Sequence, residues 1–478
     1  MSQRLPVRAQ AAAALLLTLL AGAACATPLA VALAAAESTV PAVGADALRE
    51  QLQAELERAF PANEPGATAL VMQDGKVLFR GAAGMANLEL GVAMRPEMVL
   101  RLGSVTKQFT AVCILMLVEQ GKLAFDDEIT KFLPDFPVHG QKITIERLLT
   151  HTSGVKNYTE LPAFWDQQRQ DKTLLQLIDM FKQAPPEFAP GERFVYSNSG
   201  YVLLGAVIEK VSGQTYAAFV QQHIFAVLGM AHTRYDSTAS IIPGRVPGYK
   251  HTAQGYDNGD YFSMSLPYAA GSLVSTVDDL AKWDEALYTE KLVSQASLLR
   301  AWTTFHLDDG RPTHYGYGWA ITDIAGIPML NHGGGVNGFN SMLVRVPQTH
   351  VFAVVLSNRD GGEAWLARKL AALASGRKWT EPVAVPVSAA ALDLLVGKYQ
   401  LPQQPDIEVA HVKDGLSIHL QRYGTVELRP LSDTEFFFVL DPLARVTFLK
   451  DNTGQPLSLQ LRTNRGPEEV AIKIEKPQ

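Results

Sequence analysis

Three short motifs carry residue types that could activate a nucleophile. They are Ser104-Val105-Thr106-Lys107, Tyr196-Ser197-Asn198 and His332-Gly333-Gly334, in that order along the chain. A serine hydroxyl is a weak nucleophile until a nearby base takes its proton, and a desolvated lysine amine can be that base. Residues three apart share a face of a helix, so Lys107 can reach the hydroxyl of Ser104. The first motif therefore predicts a serine nucleophile with a lysine base.

The second motif contributes a phenol and an amide. It lies between a strand-like segment, residues 190–195, and an apolar, helix-like segment, residues 199–208. A phenol beside a lysine ammonium has its ionised form favoured, so we expect Tyr196 to share in proton transfer. The amide of Asn198 is suited to orient a substrate carbonyl. A buried tyrosine with a purely structural hydrogen bond is the alternative.

Glycine dominates the third motif, where residues 333–338 match the dinucleotide-binding pattern G-x-G-x-x-G. That pattern requires a strand before it and a helix after it. Residues 339–356 instead indicate two strands separated by Pro347. The segment therefore predicts a strand pair whose glycines let substrate approach the backbone. There the N–H of Gly335 would join that of Ser104 in holding an oxyanion.

Two of these patterns recur elsewhere, so spacing alone is a weak signal. S-x-x-K occurs again at Ser153 and at Ser375, where a glycine follows the serine in a turn-like stretch. Y-x-N recurs at Tyr256, in a segment rich in Gly, Asp and Asn that predicts a surface turn. Only Ser104 is followed by a long apolar helical pattern, which ends at a stop signal at Gly121.

With the three motifs in this order, the sequence resembles the serine β-lactamase and penicillin-binding-protein superfamily, specifically its class C-like branch with D-aminopeptidases and esterases. Segments 148–154, 190–205 and 228–230 agree with that likeness, which covers roughly residues 45–375. The resemblance implies an acyl-enzyme hydrolase. It also implies the site residues: catalytic Ser104, Lys107 and Tyr196, and substrate-binding Asn198, His332, Gly334 and Gly335.

One departure from the family pattern bears on the substrate. Relatives that hydrolyse β-lactams usually carry Lys-Thr/Ser-Gly where this chain has His332-Gly333-Gly334. A permanent cation that grips a carboxylate is thus replaced by an imidazole that titrates near neutrality. His-x-Gly resembles the D-aminopeptidase and esterase members, so we expect a small peptide, amide or ester substrate, with cell-wall peptides among the candidates. The alternatives are a β-lactamase, a D-alanyl-D-alanine carboxypeptidase, or a penicillin-binding sensor without efficient turnover.

The elements that must position the motifs indicate an α/β fold of the α+β kind. An amphipathic helix, a hairpin turning at Asp74-Gly75, and strand pairs from residue 317 onward flank a helix-rich middle, residues 105–230. This order predicts an antiparallel sheet flanked by helices, with a helical subdomain beside it. Short alternating segments at 407–409, 416–420, 436–439, 446–448 and 457–459 predict a C-terminal small antiparallel β domain, which resembles lipocalin-like barrels. Its role is left open between capping the cleft, dimerisation, binding wall material and stability.

The first residues read as an export signal, because Arg4 and Arg8 precede an apolar run followed by small residues. We therefore expect a periplasmic or secreted protein, and Cys25 makes a lipoprotein the less favoured alternative. The predicted organisation is a signal peptide at 1–36, a β-lactamase-like hydrolase domain at 37–376, a linker at 377–387 and a barrel-like domain at 388–478.

Composition bounds the partners. The chain has 478 residues, 47% of them hydrophobic, and a net charge of -6. This charge gives no sign of the basic surface that binds nucleic acid, so nucleic acid is not an expected partner. The sequence has no H-E-x-x-H and no paired cysteine spacing, so no metal and no other cofactor is expected. The oligomeric state is left open.

Overall fold

The computed structural model describes residues 44–324, 326–361, 365–401, 406–420, 424–439, 441–463 and 466–474. The predicted signal peptide, with Cys25 and its cleavage sites, lies outside the described residues. Within those ranges, no helix has the length and apolar character needed to span a bilayer.

The α-helices of this part of the chain begin and end mostly where capping chemistry allows. Ser197, for example, accepts a hydrogen bond from the N–H of Gly200 at the start of the sixth helix, which ends at Gly213 with φ 72°. The helices are α1 (Ala45–Ala59), α2 (Thr106–Glu119), α3 (Ile145–Leu149), α4 (Pro162–Asp166), α5 (Leu174–Asp179), α6 (Asn198–Ser212), α7 (Tyr216–Val220), α8 (Ala226–Leu228), α9 (Tyr268–Gly271), α10 (Val277–Ala286), α11 (Gln295–Ala301), α12 (Leu366–Ala374) and α13 (Ala389–Leu395).

The strands fall mainly into two sheets. The first hairpin turns at Asp74-Gly75, and both residues have positive φ, as a two-residue hairpin turn requires. The strands are β1 (Ala67–Gln73), β2 (Lys76–Ala83), β3 (Met85–Asn87), β4 (Val92–Ala93), β5 (Leu100–Arg101), β6 (Arg234–Tyr235), β7 (Tyr249–Thr252), β8 (Gly255–Asn258), β9 (Leu273–Ser275), β10 (Ala320–Ile324), β11 (Ile327–Val336), β12 (Phe339–Val346), β13 (Val351–Ser357), β14 (Gly397–Gln400), β15 (Ile407–Val412), β16 (Gly415–Leu420), β17 (Gly424–Pro430), β18 (Glu435–Phe438), β19 (Asp441–Lys450), β20 (Pro456–Arg462) and β21 (Glu469–Lys473).

A six-stranded antiparallel sheet, in the order β10-β11-β12-β13-β1-β2, is the frame of the larger domain. β1 pairs with its hairpin neighbour β2 and also with β13, so both ends of the domain close the sheet. Side chains alternate between the two faces of a strand, and along β13 Val354 enters one core while Val355 enters the other. Both faces of the sheet are therefore covered.

Helices cover the sheet on either side. Leu52 and Leu56 of α1 and Leu370 of α12 pack on one face. The opposite face packs against the helix-rich middle of the chain, where every residue of α2 from Thr106 to Leu117 is buried. The burial of this helix matters for the site, because the first motif lies at its start.

The C-terminal strands β14 to β21 form a closed antiparallel barrel in chain order, with β21 pairing back to β14. Its interior is filled by side chains, and the ring of Phe448 contacts those of Tyr399 and Phe436 at centroid distances of 5.7 and 5.6 Å. The predicted antiparallel sheet with flanking helices and the small C-terminal β domain are confirmed. The exact domain boundaries stay predictions.

Three local expectations were wrong. Residues 190–195, expected to be strand-like, form a turn followed by irregular backbone. The strand expected to begin at Tyr317 begins at Ala320, because Gly318 has φ +84° and packs against the backbone of Lys107. Tyr256 lies in β8 rather than in a surface turn. The phenol of Tyr256 donates to Glu64 at 2.6 Å, a long-range contact that the local composition does not reveal.

Candidate active site

Ser104 lies in a single 3₁₀ turn, Gly103–Val105, that leads directly into α2. Gly103 has φ +52°, and a Cβ there would lie 2.8 Å from the backbone nitrogen of Gly335, so only glycine suits this position. The turn is thus pressed against the end of β11. Ser104 itself is half-buried, which leaves its hydroxyl accessible to a substrate.

Lys107 is fully buried one turn further along, and its Nζ lies 3.1 Å from the Oγ of Ser104. The same nitrogen donates to Oδ1 of Asn198 at 2.8 Å and to the carbonyl of Ala270 at 2.9 Å. Both of these oxygens can only accept hydrogen bonds. A neutral amine that donates to both has its lone pair left for the serine proton, and an ammonium donates to all three oxygens. The geometry therefore accommodates both protonation states that a proton carrier needs.

Tyr196 places its ring beside this amine, with Nζ of Lys107 4.7 Å from the ring centroid. On its other side the ring contacts His151 at 4.2 Å and His332 at 6.2 Å. Burial raises the pKa of the neighbouring phenol of Tyr201 well above its ordinary value, and that phenol donates to the carbonyl of Leu149 at 2.9 Å. Tyr201 therefore stays protonated, and the half-buried Tyr196, whose ring lies beside the amine, stays the predicted second proton carrier.

Asn198 is held by a loop that the sequence did not single out. Its backbone N–H donates to Oδ1 of Asn157 at 3.1 Å, while the hydroxyl of Ser197 donates to the carbonyl of Val155, also at 3.1 Å. The hydroxyl of Ser199 accepts a hydrogen bond from the N–H of Tyr158 at 2.9 Å. Residues 155–158 thus fix the backbone of the second motif, so its side chains are aimed by tertiary contacts.

His332 is buried in β11 and both of its ring nitrogens are engaged. Nδ1 lies 2.7 Å from the carbonyl oxygen of Gly333, which can only accept, so Nδ1 carries a proton. Nε2 lies 2.8 Å from the hydroxyl of Tyr315. Only 1% of its surface is exposed, so the imidazole of His332 is not accessible to a substrate in the cleft.

The two glycines predicted to bind substrate, Gly334 and Gly335, differ in their surroundings. A Cβ on Gly334 would lie 2.0 Å from the carbonyl oxygen of Leu102 and 2.9 Å from the nitrogen of Ser104. Gly334 thus makes room for the nucleophile's own turn, whereas the sequence suggested room for substrate. Gly335 is exposed and has open space around its Cα. Because β10 pairs with β11 only as far as Asn331, Gly335 lies where that edge of β11 has no partner strand among the described residues.

The structure therefore brings Ser104, Lys107, Tyr196 and Asn198 into one cluster, with the Gly334–Gly335 backbone against the serine turn. Their catalytic and binding roles stay predictions.

Four further contributors escaped the sequence analysis as parts of the site: the carbonyl of Ala270, Asn157, Tyr315 and His151. Nδ1 of His151 accepts the N–H of Ser197 at 3.1 Å and so supports the second motif. No local pattern identifies a backbone carbonyl or a distant tyrosine.

A cavity of about 490 Å³ lies near the tip of the β11–β12 hairpin. Its lining includes Arg101, three residues before the nucleophile, and Asn337, two residues after Gly335. The guanidinium of Arg101 lies 5.3 Å from the ring centroid of Phe339, and its Nε donates to the buried carboxylate of Asp236 at 2.8 Å. The site thus has space beside it for part of a substrate.

Comparison with known proteins agrees with this geometry. The family model described as "Beta-lactamase" matches residues 54–376. The chain belongs to the β-lactamase family. It is a serine hydrolase of that family, and the resemblance inferred from the three motifs is confirmed.

Three members of the β-lactamase family and its structural neighbours illustrate the range of relatives. Penicillin-binding protein 4* of Bacillus subtilis (strain 168) is 30% identical over 427 residues, which cover 81% of this chain and 91% of that protein. Esterase EstB of Burkholderia gladioli is 35% identical over 212 residues, which cover 41% of this chain and 54% of the esterase. The structure of D-amino acid amidase from Ochrobactrum anthropi SV3, complexed with L-phenylalanine amide, matches with a TM-score of 0.61 and 25% identity, over 69% of this chain and 99% of the amidase.

Proposed function

We propose that this protein hydrolyses esters, amides or small peptides through an acyl-enzyme on Ser104. The observation that carries the proposal is the 3.1 Å contact between Oγ of Ser104 and Nζ of Lys107. That distance lies within the range over which a base takes a proton during attack. The names of the esterase and amidase relatives support the substrate class.

In the first step, the Oγ of Ser104 attacks the substrate carbonyl carbon while its proton passes to the amine of Lys107 or to the phenolate of Tyr196. The carbonyl π-electron pair moves onto oxygen, and the N–H groups of Ser104 and Gly335 hold the resulting anion. The tetrahedral intermediate then collapses. The bond to the leaving group breaks, and the leaving nitrogen or oxygen takes the proton back.

In the second step, water attacks the acyl-serine ester and gives its proton to the same pair of groups. The ester bond to Oγ breaks, the acid product leaves, and Ser104 recovers its proton. Asn198 serves both steps, because its carbonyl oxygen holds the amine of Lys107 at 2.8 Å while its amide NH₂ can turn toward the substrate. The cycle needs no group beyond substrate and water.

The surroundings of His332 support an acyl ester or amide over a β-lactam. A β-lactam antibiotic presents a carboxylate beside its reactive ring, and an exposed cation near the nucleophile would grip it. His332 is buried, and its ring nitrogens are engaged by Gly333 and Tyr315. The cavity near Arg101 offers room for the acyl or leaving part of a substrate.

We also propose that the protein is exported, on the strength of the basic, apolar and small-residue order within residues 1–36. Cell-wall peptides would then be within reach. The mass of the protein recovered from the periplasm or medium tests this, and a chain that keeps residues 1–36 in the cytoplasm contradicts it.

The enzymatic proposal is tested with purified protein against p-nitrophenyl acyl esters, D- and L-amino-acid amides, short peptides and nitrocefin. We expect ester or amide turnover, and mass spectrometry should show the added acyl group on the peptide that contains Ser104. Ser104→Ala should abolish both. Ser375→Ala is the matched control, because Ser375 begins another S-x-x-K pattern outside the site and its hydroxyl is hydrogen-bonded to that of Thr349.

Rapid nitrocefin turnover without ester or amide hydrolysis would overturn the substrate class but keep the nucleophile. Stoichiometric labelling by penicillin without turnover of any substrate would favour the sensor alternative. Full activity in Ser104→Ala would reject the mechanism itself.

A further inference from the structure

The C-terminal barrel touches the larger domain close to the candidate active site. Beyond β20, the backbone N–H of Gly466 donates to the carbonyl oxygen of Thr313 at 3.0 Å. Gly466 also lies against the ring of Phe194, since a Cβ on this glycine would stand 3.0 Å from Cδ1 of that ring. The barrel therefore contacts two segments that each lead, two residues later, to an aromatic residue of the site.

Phe194 connects this contact to the second motif. Its ring meets His151 edge-on at 5.9 Å and Tyr315 at 5.7 Å. His151 in turn lies 4.2 Å from the ring of Tyr196. Packed aromatic rings have little free space, so a displacement of Phe194 would also displace the ring of Tyr196, the phenol predicted to carry a proton.

Thr313 connects the contact to the third motif. It is fully buried, and its hydroxyl is hydrogen-bonded to the carbonyl of Tyr315 at 3.0 Å. The phenol of Tyr315 reaches Nε2 of His332 at 2.8 Å. The barrel thus reaches β11 through a short chain of hydrogen bonds, and Phe194 and Tyr315 also touch each other.

A second contact supports the same strand from its opposite face. Arg368 of α12 is 3% exposed and donates to Asp441 of the barrel at 3.0 Å and to Asn331 at 3.3 Å. Asn331 directly precedes His332. Two separate parts of the barrel therefore converge on the segment that carries the third motif.

We propose that the barrel is a positioning element of the active site, acting through the contact of Gly466 with Phe194 and Thr313. This inference rests on the proposed hydrolase function and extends it. Gly466 is a positioning residue, because it holds the layer of Phe194 and Tyr315 behind Tyr196 and His332. Any movement of the barrel contact then changes the rate of the chemical step more than it changes substrate binding.

The test compares two glycines of the barrel in the full chain. Gly466 has φ +84° and contacts Phe194, whereas Gly454 has φ +85° and nothing within 4 Å of an added Cβ. Gly466→Ala and Gly454→Ala therefore impose the same backbone strain, and only the first disturbs the interface. We expect Gly466→Ala to displace the site residues by tenths of an ångström, which should lower kcat by about three- to tenfold. KM should stay within about twofold of the parent's value. Gly454→Ala should keep both constants.

A purely structural role makes a different prediction. The two variants would then share a lower melting temperature while their kcat values at 25 °C remain that of the parent, and this result would overturn the proposal. Phe194→Leu provides a second variant should Gly466→Ala fold poorly. It should lower kcat in the same way, and the double variant should lose no more than the larger single loss. Independent, multiplicative losses would also overturn it.

A labelling experiment distinguishes failure of the hydrolase proposal from failure of the positioning role. If the parent protein turns over none of the substrates, the rate at which a fluorophosphonate labels Ser104 replaces kcat as the readout. The same ordering of variants is expected, and equal labelling rates in Gly466→Ala and Gly454→Ala would reject the positioning role. A parent protein that is not labelled at Ser104 contradicts the hydrolase proposal instead.

Discussion

Replacing Lys107 by methionine isolates the proton-transfer step. The thioether fills nearly the same buried volume but cannot accept the proton of Ser104, whose Oγ lies 3.1 Å from Nζ. General-base assistance is worth about 10² to 10⁴ in rate, and we expect Lys107→Met to lower kcat/KM by about 10³-fold, equivalent to about 4 kcal/mol. Any activity that remains in Lys107→Met would rely on the phenol of Tyr196, the other predicted proton carrier.

Stability should change much less than activity, because two effects oppose each other. Methionine leaves Oδ1 of Asn198 and the carbonyl of Ala270 without their amine donor, at about 1–3 kcal/mol for each buried acceptor. It also removes a polar amine from a fully buried position, which is favourable. Chemical denaturation separates this from the kinetic effect.

The assay is steady-state hydrolysis of a p-nitrophenyl ester, with the pre-steady-state burst reporting acylation. Lys378→Met is the control, because Lys378 ends another S-x-x-K pattern and is exposed. It should retain the parent's kinetics. A Lys107→Met variant that keeps more than a tenth of the parent's kcat/KM, while folded, would refute the assignment of this amine as the base.

Three further outcomes are expected. Gly334→Ala forces a Cβ to within 2.0 Å of the carbonyl oxygen of Leu102, so ester assays should show kcat lowered by about 10²-fold, while a kcat within threefold of the parent's would contradict the tight packing. Burial raises the pKa of the Cys113 thiol, so in a chain beginning at residue 41 Ellman's reagent should react only after denaturation, and rapid native labelling would contradict this. The hydrogen bond from Lys369 lowers the pKa of Glu381, so the stabilising effect of this carboxylate is present above pH 4.5 and fades as the pH falls further. The free energies of unfolding of the parent and of Glu381→Gln, measured in urea, should therefore differ at pH 7 and converge at pH 3. A difference that stays constant with pH would contradict this expectation.

The sequence was informative where a short spacing dictates geometry. One turn separates Ser104 from Lys107, so their contact could be predicted once the apolar pattern of α2 is recognised, although Ser104 itself lies in the 3₁₀ turn that leads into this helix. Asn198 was expected in a loop between a strand-like segment and a helix, and only the helix is present, because residues 190–195 form no strand. The carbonyl of Ala270 could not be foreseen, because any residue supplies a carbonyl and only the tertiary fold brings it to 2.9 Å from Nζ.

In the barrel, too, local sequence patterns predict only some of the strands. The alternating segments that became β15, β16, β18, β19 and β20 were predicted because their larger apolar residues face inward. β21 was missed, since it places Val470 and Ile472 outside and only Ala471 in the core. β17 and the short β14 were missed as well, and the closure of the barrel depends on pairings between β14 and β21 that no local pattern encodes.

The register of β11 determines which of its residues face the serine turn and which face α12. His332 and Gly334 lie two apart and share one face of the strand, toward the serine turn, while Asn331 lies on the face toward α12. A slip of one residue would exchange the faces and move His332 away from Tyr315 and Asn331 away from Arg368. Tyr315 fixes His332 on one face and Arg368 fixes Asn331 on the other. Because these contacts hold the strand on which Gly335 lies, we expect the predicted oxyanion role of its N–H to depend on Tyr315 and Arg368 as well as on the residues that meet the substrate.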